Sequence, residues 1–199
     1  MEGPSRFRPQ PDHRFTFLQG FLKRPKEVGS IIPSSRFLER EVVQTAVSRD
    51  ARTIVELGPG TGGTTRALLR AMSPLAKLLT IEINPRFARL LRGMPDPRLA
   101  VHEGSASEIA QALAEHGLPQ ADAILSGIPF STMTRSLGLE ILRSVHDSLA
   151  PAGIFVAYQV RDRVEALGRA VFGRPHVKTV MLNVPPMRIY RWRKGERAV

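Results

Sequence analysis

Glu56-Leu57-Gly58-Pro59-Gly60-Thr61-Gly62 is the stretch that decides the fold. It follows a β-type run, Thr53-Ile54-Val55, and opens a helix-like run from Thr64 to Met72. Glycines at 58, 60 and 62, between a strand and a helix, let the backbone come close to a ligand. The first helix amides then point at whatever polar or anionic group sits there. Twenty residues past Gly62, the apolar run Leu78-Leu79-Thr80-Ile81 ends in Glu82. An acid at that strand end accepts both hydroxyls of a ribose. Glycine turn and acid together indicate a nucleoside cofactor.

The turn is not G-x-G-x-x-G, and no G-x-x-x-x-G-K-[ST] phosphate loop occurs in the chain. Glu56, ahead of the first glycine, would repel a pyrophosphate but suits the ammonium group of a methionine moiety. The pattern resembles the first motif of the S-adenosylmethionine (SAM)-dependent methyltransferases. The resemblance puts Glu82 at the family's ribose-binding position and lets Ile83 cover one face of the adenine. It implies SAM as cofactor and S-adenosylhomocysteine as product.

With 199 residues, one domain with a sizeable core is expected. There is no cysteine, so neither a disulfide framework nor a thiolate metal site is available. The five histidines are scattered without ligand spacing, and no metal is expected. No apolar run approaches a membrane span, and the polar, proline-rich start lacks a signal-peptide core, so a cytoplasmic location is expected. The net charge of +11 is segregated: +4 over residues 1–52, zero over 53–160 and +7 over 161–199. Such a chain has nucleic acid or an anionic membrane surface as its default partner.

Residues 1–12 are proline-rich with little apolar content and read as a flexible tip. Residues 13–52 form an N-terminal helical segment, with helices over 13–24 and near Arg36–Val47, the second capped from Ser34-Ser35. From residue 53 to 199 strand-like and helix-like runs alternate. Strands are expected at 53–57, 77–82, 98–103, 121–126 and 153–159. Helices are expected at 62–72, 85–93, 105–116, 132–149 and 162–171. This alternation predicts an α/β fold, a doubly wound, mostly parallel sheet. Val177–Val184 and Met187–Arg193, joined by Pro185-Pro186, read as a final strand pair, at least one of them antiparallel. A parallel sheet ending this way resembles the seven-stranded, Rossmann-like class I methyltransferase fold.

Ligands of such sheets lie beyond the carboxyl ends of the strands. After the third strand many relatives place an acid for the adenine amine, whereas this chain has Gly104-Ser105-Ala106-Ser107, with Ser105 able to accept one hydrogen bond. Ser126-Gly127-Ile128-Pro129-Phe130 stands where amino-methyltransferases carry a catalytic loop. Enzymes that methylate exocyclic base amines read [DNS]-[PL]-P-[YF] there, the polar residue holding the amine and the aromatic stacking on the base. Here the carbonyls of Ser126 and Gly127 remain to orient a nitrogen, and Phe130 is the surviving aromatic.

The arrangement resembles the small bacterial phospholipid N-methyltransferases, which make phosphatidylcholine from phosphatidylethanolamine and are related to the rRNA adenine dimethyltransferases. The resemblance rests on Val28-Gly29-Ser30-Ile31-Ile32-Pro33-Ser34-Ser35, the Glu56–Gly62 turn, Glu82-Ile83-Asn84 and Ser126–Phe130. It implies a phospholipid substrate, an anionic membrane surface as partner and peripheral attachment to the inner membrane, with no nucleic acid, and a monomer. Tyr158, at the end of the fifth strand, is a candidate for positioning the amine or accepting its proton. Arg135, Arg188 and Arg191 are candidates for the lipid phosphate. On a helical wheel Phe15, Phe17, Leu18, Phe21 and Leu22 share an arc of about 160°, with Lys23 and Arg24 at its polar side, as suits a helix in the membrane interface. The alternative is an RNA adenine N6-methyltransferase. Against it, Gly127 replaces the base-clamping residue, and the 40 residues after Gln159 leave little room for an added RNA-binding domain.

Overall fold

The computed structural model describes residues 36–181 and 185–195. The expected membrane-interface helix, with Phe15, Phe17, Leu18, Phe21, Leu22, Lys23 and Arg24, lies outside the described residues, as does the 1–12 tip. In chain order the elements are α1 (Arg36–Ala46), β1 (Thr53–Leu57), α2 (Gly63–Ala71), β2 (Lys77–Glu82), α3 (Pro85–Arg92), β3 (Leu99–Glu103) and α4 (Ile109–Glu115). There follow β4 (Ala121–Ser126), a short 3-10 turn (Phe130–Thr132), α5 (Arg135–Ser148), β5 (Leu149–Gln159), α6 (Arg163–Phe172), β6 (His176–Val180) and β7 (Met187–Arg193).

The strands form one seven-stranded sheet in the order β3-β2-β1-β4-β5-β7-β6. β1 to β5 pair in parallel, and β7 runs antiparallel to both β5 and β6. The order reverses between β1 and β4, so the carboxyl ends of these two strands flank the crevice where such sheets take ligands. Both faces of the central strands are covered, which is why these strands read as near-continuous apolar runs. Ile54, Leu78, Leu125, Val156 and Ile189 pack with Leu38, Val42 and Val43 of α1 and with Leu68 and Leu69 of α2. Their chain neighbours Val55, Leu79, Ile124, Phe155 and Tyr190 pack on the other face, with Ile109, Leu142, Val145, Val164 and Leu167 of α4, α5 and α6.

Local signals set several helix starts. Asn84 caps α3, its side chain accepting the Arg86 N–H at 2.9 Å, and Pro85 takes the first helical position, where its missing donor costs nothing. Thr134 caps α5 by accepting the Leu137 N–H at 3.3 Å, so the helix begins three residues later than the sequence reading placed it. β5 begins at Leu149, directly after α5, four residues earlier than expected. The side chain of Asp122 accepts the N–H groups of Arg52 at 2.7 Å and Thr53 at 3.0 Å, which fixes the entry into β1.

An aromatic group locks the β5–β7 end of the sheet. Trp192 stacks on Phe155 with centroids 5.3 Å apart and on Tyr190 at 5.9 Å, and its Nε1 donates to the Gly173 carbonyl at 3.0 Å. Gly168 of α6 lies against this ring: a Cβ there would meet Trp192 Cζ2 at 2.5 Å. The indole is held on both sides and by its hydrogen bond, so it has nowhere to move. Gly168→Ala is therefore expected to destabilise the fold by about 1–3 kcal/mol through overpacking, outweighing the roughly 1 kcal/mol that alanine gains in helix propensity. Chemical denaturation of the two proteins measures the difference, and a more stable variant would show that the ring yields.

Candidate active site

The turn after β1 takes left-handed backbone angles at Gly58, Gly60 and Gly62 (φ 69°, 57° and 81°). Gly60 is the open position, with no atom within 4 Å of where a Cβ would stand. Its N–H donates to Glu82 Oε2 at 3.0 Å, and the other carboxylate oxygen, Oε1, accepts the Asn84 N–H at 2.8 Å. Glu82 thus ties together the loops that follow β1 and β2. Only 4% of it is exposed, and burial raises its pKa against the lowering effect of these backbone donors. A carboxylate has about four acceptor directions, so two donors leave room for two ribose hydroxyls. Ile83, half-buried, follows at the strand end.

Glu56 points to the α1/α2 face of the sheet and is 1% exposed. Thr65, in the first turn of α2, donates its hydroxyl to Glu56 Oε2 at 2.6 Å. The second oxygen, Oε1, is buried with no hydrogen-bond partner. Burial pushes the Glu56 pKa up to about 7, the Thr65 bond opposes the rise, and the charges of Glu82 and Glu39 add to it. An orphaned carboxylate oxygen beside an open glycine turn fits the ammonium end of a methionine moiety.

Tyr158 stands on the same face, its hydroxyl 3.4 Å from Thr64 Oγ1. Burial, then the charge of Glu56, raises its pKa further above the ordinary tyrosine value. Burial thus favours the neutral phenol, which suits a positioning role. The Ser126–Phe130 loop crosses directly over it. A Cβ on Gly127 would lie 2.5 Å from the Tyr158 hydroxyl oxygen and 3.4 Å from the Gly58 carbonyl oxygen. The loop is pinned at three points. Gly127 N–H donates to the Leu57 carbonyl at 3.1 Å, Ile128 N–H donates to Ser126 Oγ at 3.3 Å, and the buried Gln159 side chain donates to the Ile128 carbonyl.

Some expected site residues are placed differently. Phe130 is fully buried in the core beside Met133 and Gly138, so it shapes the loop from beneath and does not offer a ring to a substrate. The Ser105 hydroxyl is engaged locally, accepting the Ser107 N–H at 3.2 Å and lying 2.9 Å from Ser107 Oγ. The acid of that loop is Glu108, which accepts the Ser105 N–H at 3.0 Å. Arg188 and Arg191 do not converge. Arg188 pairs with Gln159 at the carboxyl end of β5, whereas Arg191 pairs with Val156 in mid-strand. A separation of three residues also puts them on opposite faces of the sheet. Arg135 is exposed at the first position of α5. Glu39, Thr64, Thr65 and Gln159 were not read from sequence. Thr64-Thr65 at the mouth of α2 was the available signal, since both hydroxyls turn inward to the sheet.

The two buried acids tie stability to pH. The unfolded chain ionises Glu56 near the ordinary glutamate value, while the folded protein holds the proton to about pH 7. Stability of the ligand-free protein therefore falls as pH rises from about 4.5 through about 7, by an amount on the order of 3 kcal/mol from Glu56. Glu56→Gln should flatten this slope in denaturation curves between pH 4.5 and 8. An unchanged slope would remove Glu56 as its source.

No family model matches the chain. It is 36% identical over 143 residues to the ornithine lipid N-methyltransferase of Singulisphaera acidiphila, covering 71% of this chain and 74% of that protein. It is 32% identical over 165 residues to the ribosomal RNA small subunit methyltransferase A of Corynebacterium jeikeium, of whose length it spans about half, 51%. The fold matches that of the N-methyltransferase NodS from Bradyrhizobium japonicum in complex with S-adenosylhomocysteine, with a TM-score of 0.68 at 15% identity, over 93% of this chain and all of that one. With a class I methyltransferase sheet, a glycine turn clamped by the strand-end acid Glu82 and a lipid-modifying relative over most of its length, the chain belongs to the SAM-dependent methyltransferases, in the family of the ornithine lipid N-methyltransferase.

Proposed function

We propose that the protein transfers methyl groups from SAM to the amine of a membrane-lipid head group at the bilayer surface. Phosphatidylethanolamine and its partly methylated products, on the way to phosphatidylcholine, are the first candidates, and ornithine lipid is the second. The observation that carries this reading is the contact between Gly127 and Tyr158. A clamp for a planar base needs a polar side chain at position 127, and the Tyr158 hydroxyl stands only 2.5 Å from where the first atom of that side chain would be. A small, mobile alkyl amine needs no such clamp.

Bound SAM supplies an electrophilic methyl on a sulfonium. The chain's own groups do the rest by position. Glu82 and the Gly60 turn hold the ribose, and the free Glu56 oxygen takes the methionine ammonium. The carbonyls of Ser126 and Gly127 and the Tyr158 hydroxyl orient the attacking nitrogen, and the buried loop excludes water. The nitrogen must be neutral to attack, so the site must release its proton beforehand.

Among the described residues no helix is long and apolar enough to cross a membrane. Attachment is proposed through the amphipathic 13–24 stretch and the basic flanks, in a reversible way that weakens with salt. The test supplies labelled SAM to three acceptors at once: vesicles of phosphatidylethanolamine with anionic lipid, vesicles carrying ornithine lipid, and ribosomal RNA. Label should enter lipid and not RNA. Phe17→Asp with Phe21→Asp should lower lipid labelling severalfold while leaving S-adenosylhomocysteine binding intact. Label in RNA alone would overturn the reading in favour of the base-methylating relatives.

A further inference from the structure

Glu39, on α1, lies outside the strand–turn–helix unit that forms the glycine turn, yet its carboxylate reaches the turn. A Cβ on Gly63 would meet Glu39 Oε1 at 2.8 Å. The charge of Glu39 acts on Glu56 and on the Tyr158 hydroxyl. Among the described residues, no hydrogen bond or ion pair engages its carboxylate. This half-buried carboxylate borders the space in which Glu56 keeps a buried oxygen without a partner. In a chain of net charge +11, two acids and a neutral phenol converge here, and among the described residues no arginine or lysine pairs with either acid. Such a pocket disfavours anions and leaves charge-assisted hydrogen bonds unmade until a cation enters.

Two carboxylates imply two positive groups. The buried Glu56 faces the cofactor end. Glu39 is the more accessible of the two and belongs to a helix outside the strand–turn–helix unit, its carboxylate lying at the start of α2. We infer that Glu39 is a specificity residue that reads the positive charge of the acceptor's nitrogen, so that the site selects lipids with an ammonium head group over neutral ones of the same size. The inference rests on the proposed lipid-amine reading. It also suits the transfer step. The nitrogen lone pair forms the new N–C bond, the C–S bond breaks with its electron pair going to sulfur, and the positive charge passes from sulfur to nitrogen. The ammonium that Glu39 admits gives up its proton to solvent before attack, and a carboxylate beside the nitrogen then stabilises the positive charge that returns as the N–C bond forms.

The test uses the full chain and a short-chain phosphatidylethanolamine below its micelle concentration. The comparison ligand is the same lipid with a hydroxyl in place of the amine. Calorimetry with S-adenosylhomocysteine already bound should show the wild type preferring the amine by about tenfold, the scale of one charge-assisted bond. Glu39→Gln should lose most of this preference, with melting temperature and S-adenosylhomocysteine affinity unchanged. Glu39→Asp, which keeps the charge, should recover part of it. A Glu39→Gln protein that keeps the full preference overturns the assignment. One that keeps the preference but binds S-adenosylhomocysteine more weakly overturns it too, because Glu39 would then serve the cofactor. A wild type that labels no lipid removes the lipid-amine reading itself, and the inference with it. A wild type that labels lipid but binds amine and hydroxyl equally removes only the inference.

Discussion

The clamp made by Glu82 is the interaction on which the rest of the site depends. In the turn with left-handed angles at Gly58, Gly60 and Gly62, the Gly58 N–H donates to the Ile81 carbonyl of β2 and the Gly62 N–H to the Pro59 carbonyl. The N–H groups of Gly60 and of Asn84, just past β2, find no backbone carbonyl among the described residues. Those donors need an acceptor, and water is scarce beneath a doubly covered sheet. Glu82 provides one from the neighbouring strand, taking Gly60 N–H on one oxygen and Asn84 N–H on the other. The same side chain therefore sets the shape of the turn and the start of α3, which Asn84 caps. It also fixes the position of Glu56, which stands on β1 in register with Thr80 of β2, two residues from the clamp. Any ligand that uses Glu82 thus meets a turn that is already formed.

That arrangement carries an energetic cost, and the cost is informative. Glu56 and Glu82 are both buried and both have raised pKa values, Glu56 with one oxygen unsatisfied. A core built for stability alone would have apolar residues there. Groups displaced in this way gather at functional sites, where a ligand supplies what the protein leaves unpaired. The global and local charges run in opposite senses. The flanks of the chain are strongly basic, as suits an anionic surface, while the pocket is acidic, as suits an ammonium and a sulfonium. An amine lipid in an anionic bilayer satisfies both conditions at once.

The glycine turn and Glu82 were legible because each rests on a rule of a few residues: glycines between a strand and a helix, and a strand-end acid. The sheet was legible because its central strands are apolar on both faces. Other positions depend on tertiary placement. Phe130 looked like a substrate-facing aromatic, but a turn of 3-10 helix carries it into the core. Glu39 gave no signal, since nothing local says that α1 crosses the mouth of α2. The separation of Arg188 from Arg191 was in principle readable. Three residues along a strand reverse the face, and the two arginines had to diverge as soon as 187–193 was read as β. The early start of β5 was hidden by Pro151-Ala152-Gly153, which reads as a loop. The sheet accommodates it with a register shift against β4 between Ala121 and Ala123 and a left-handed Ala152.

The Ser126-Gly127-Ile128-Pro129-Phe130 loop and Tyr158 form one unit. In isolation the loop reads as a base-amine motif that has lost its polar residue. In the structure a side chain at 127 and the phenol at 158 compete for the same space, because the Tyr158 hydroxyl lies 2.5 Å from where a Cβ on Gly127 would be. Restoring an amide at 127 would place it on an oxygen that burial and Thr64 hold in place. Removing the phenol alone would leave a cavity beside Glu56 and expose its orphaned oxygen. A side chain at 127 therefore requires a change at 158. The loop's backbone would not need to move, since Leu57, Ser126 and Gln159 hold it through groups that neither change touches. Positions 127 and 158 are thus coupled through space, while the loop that carries Gly127 is held independently of both.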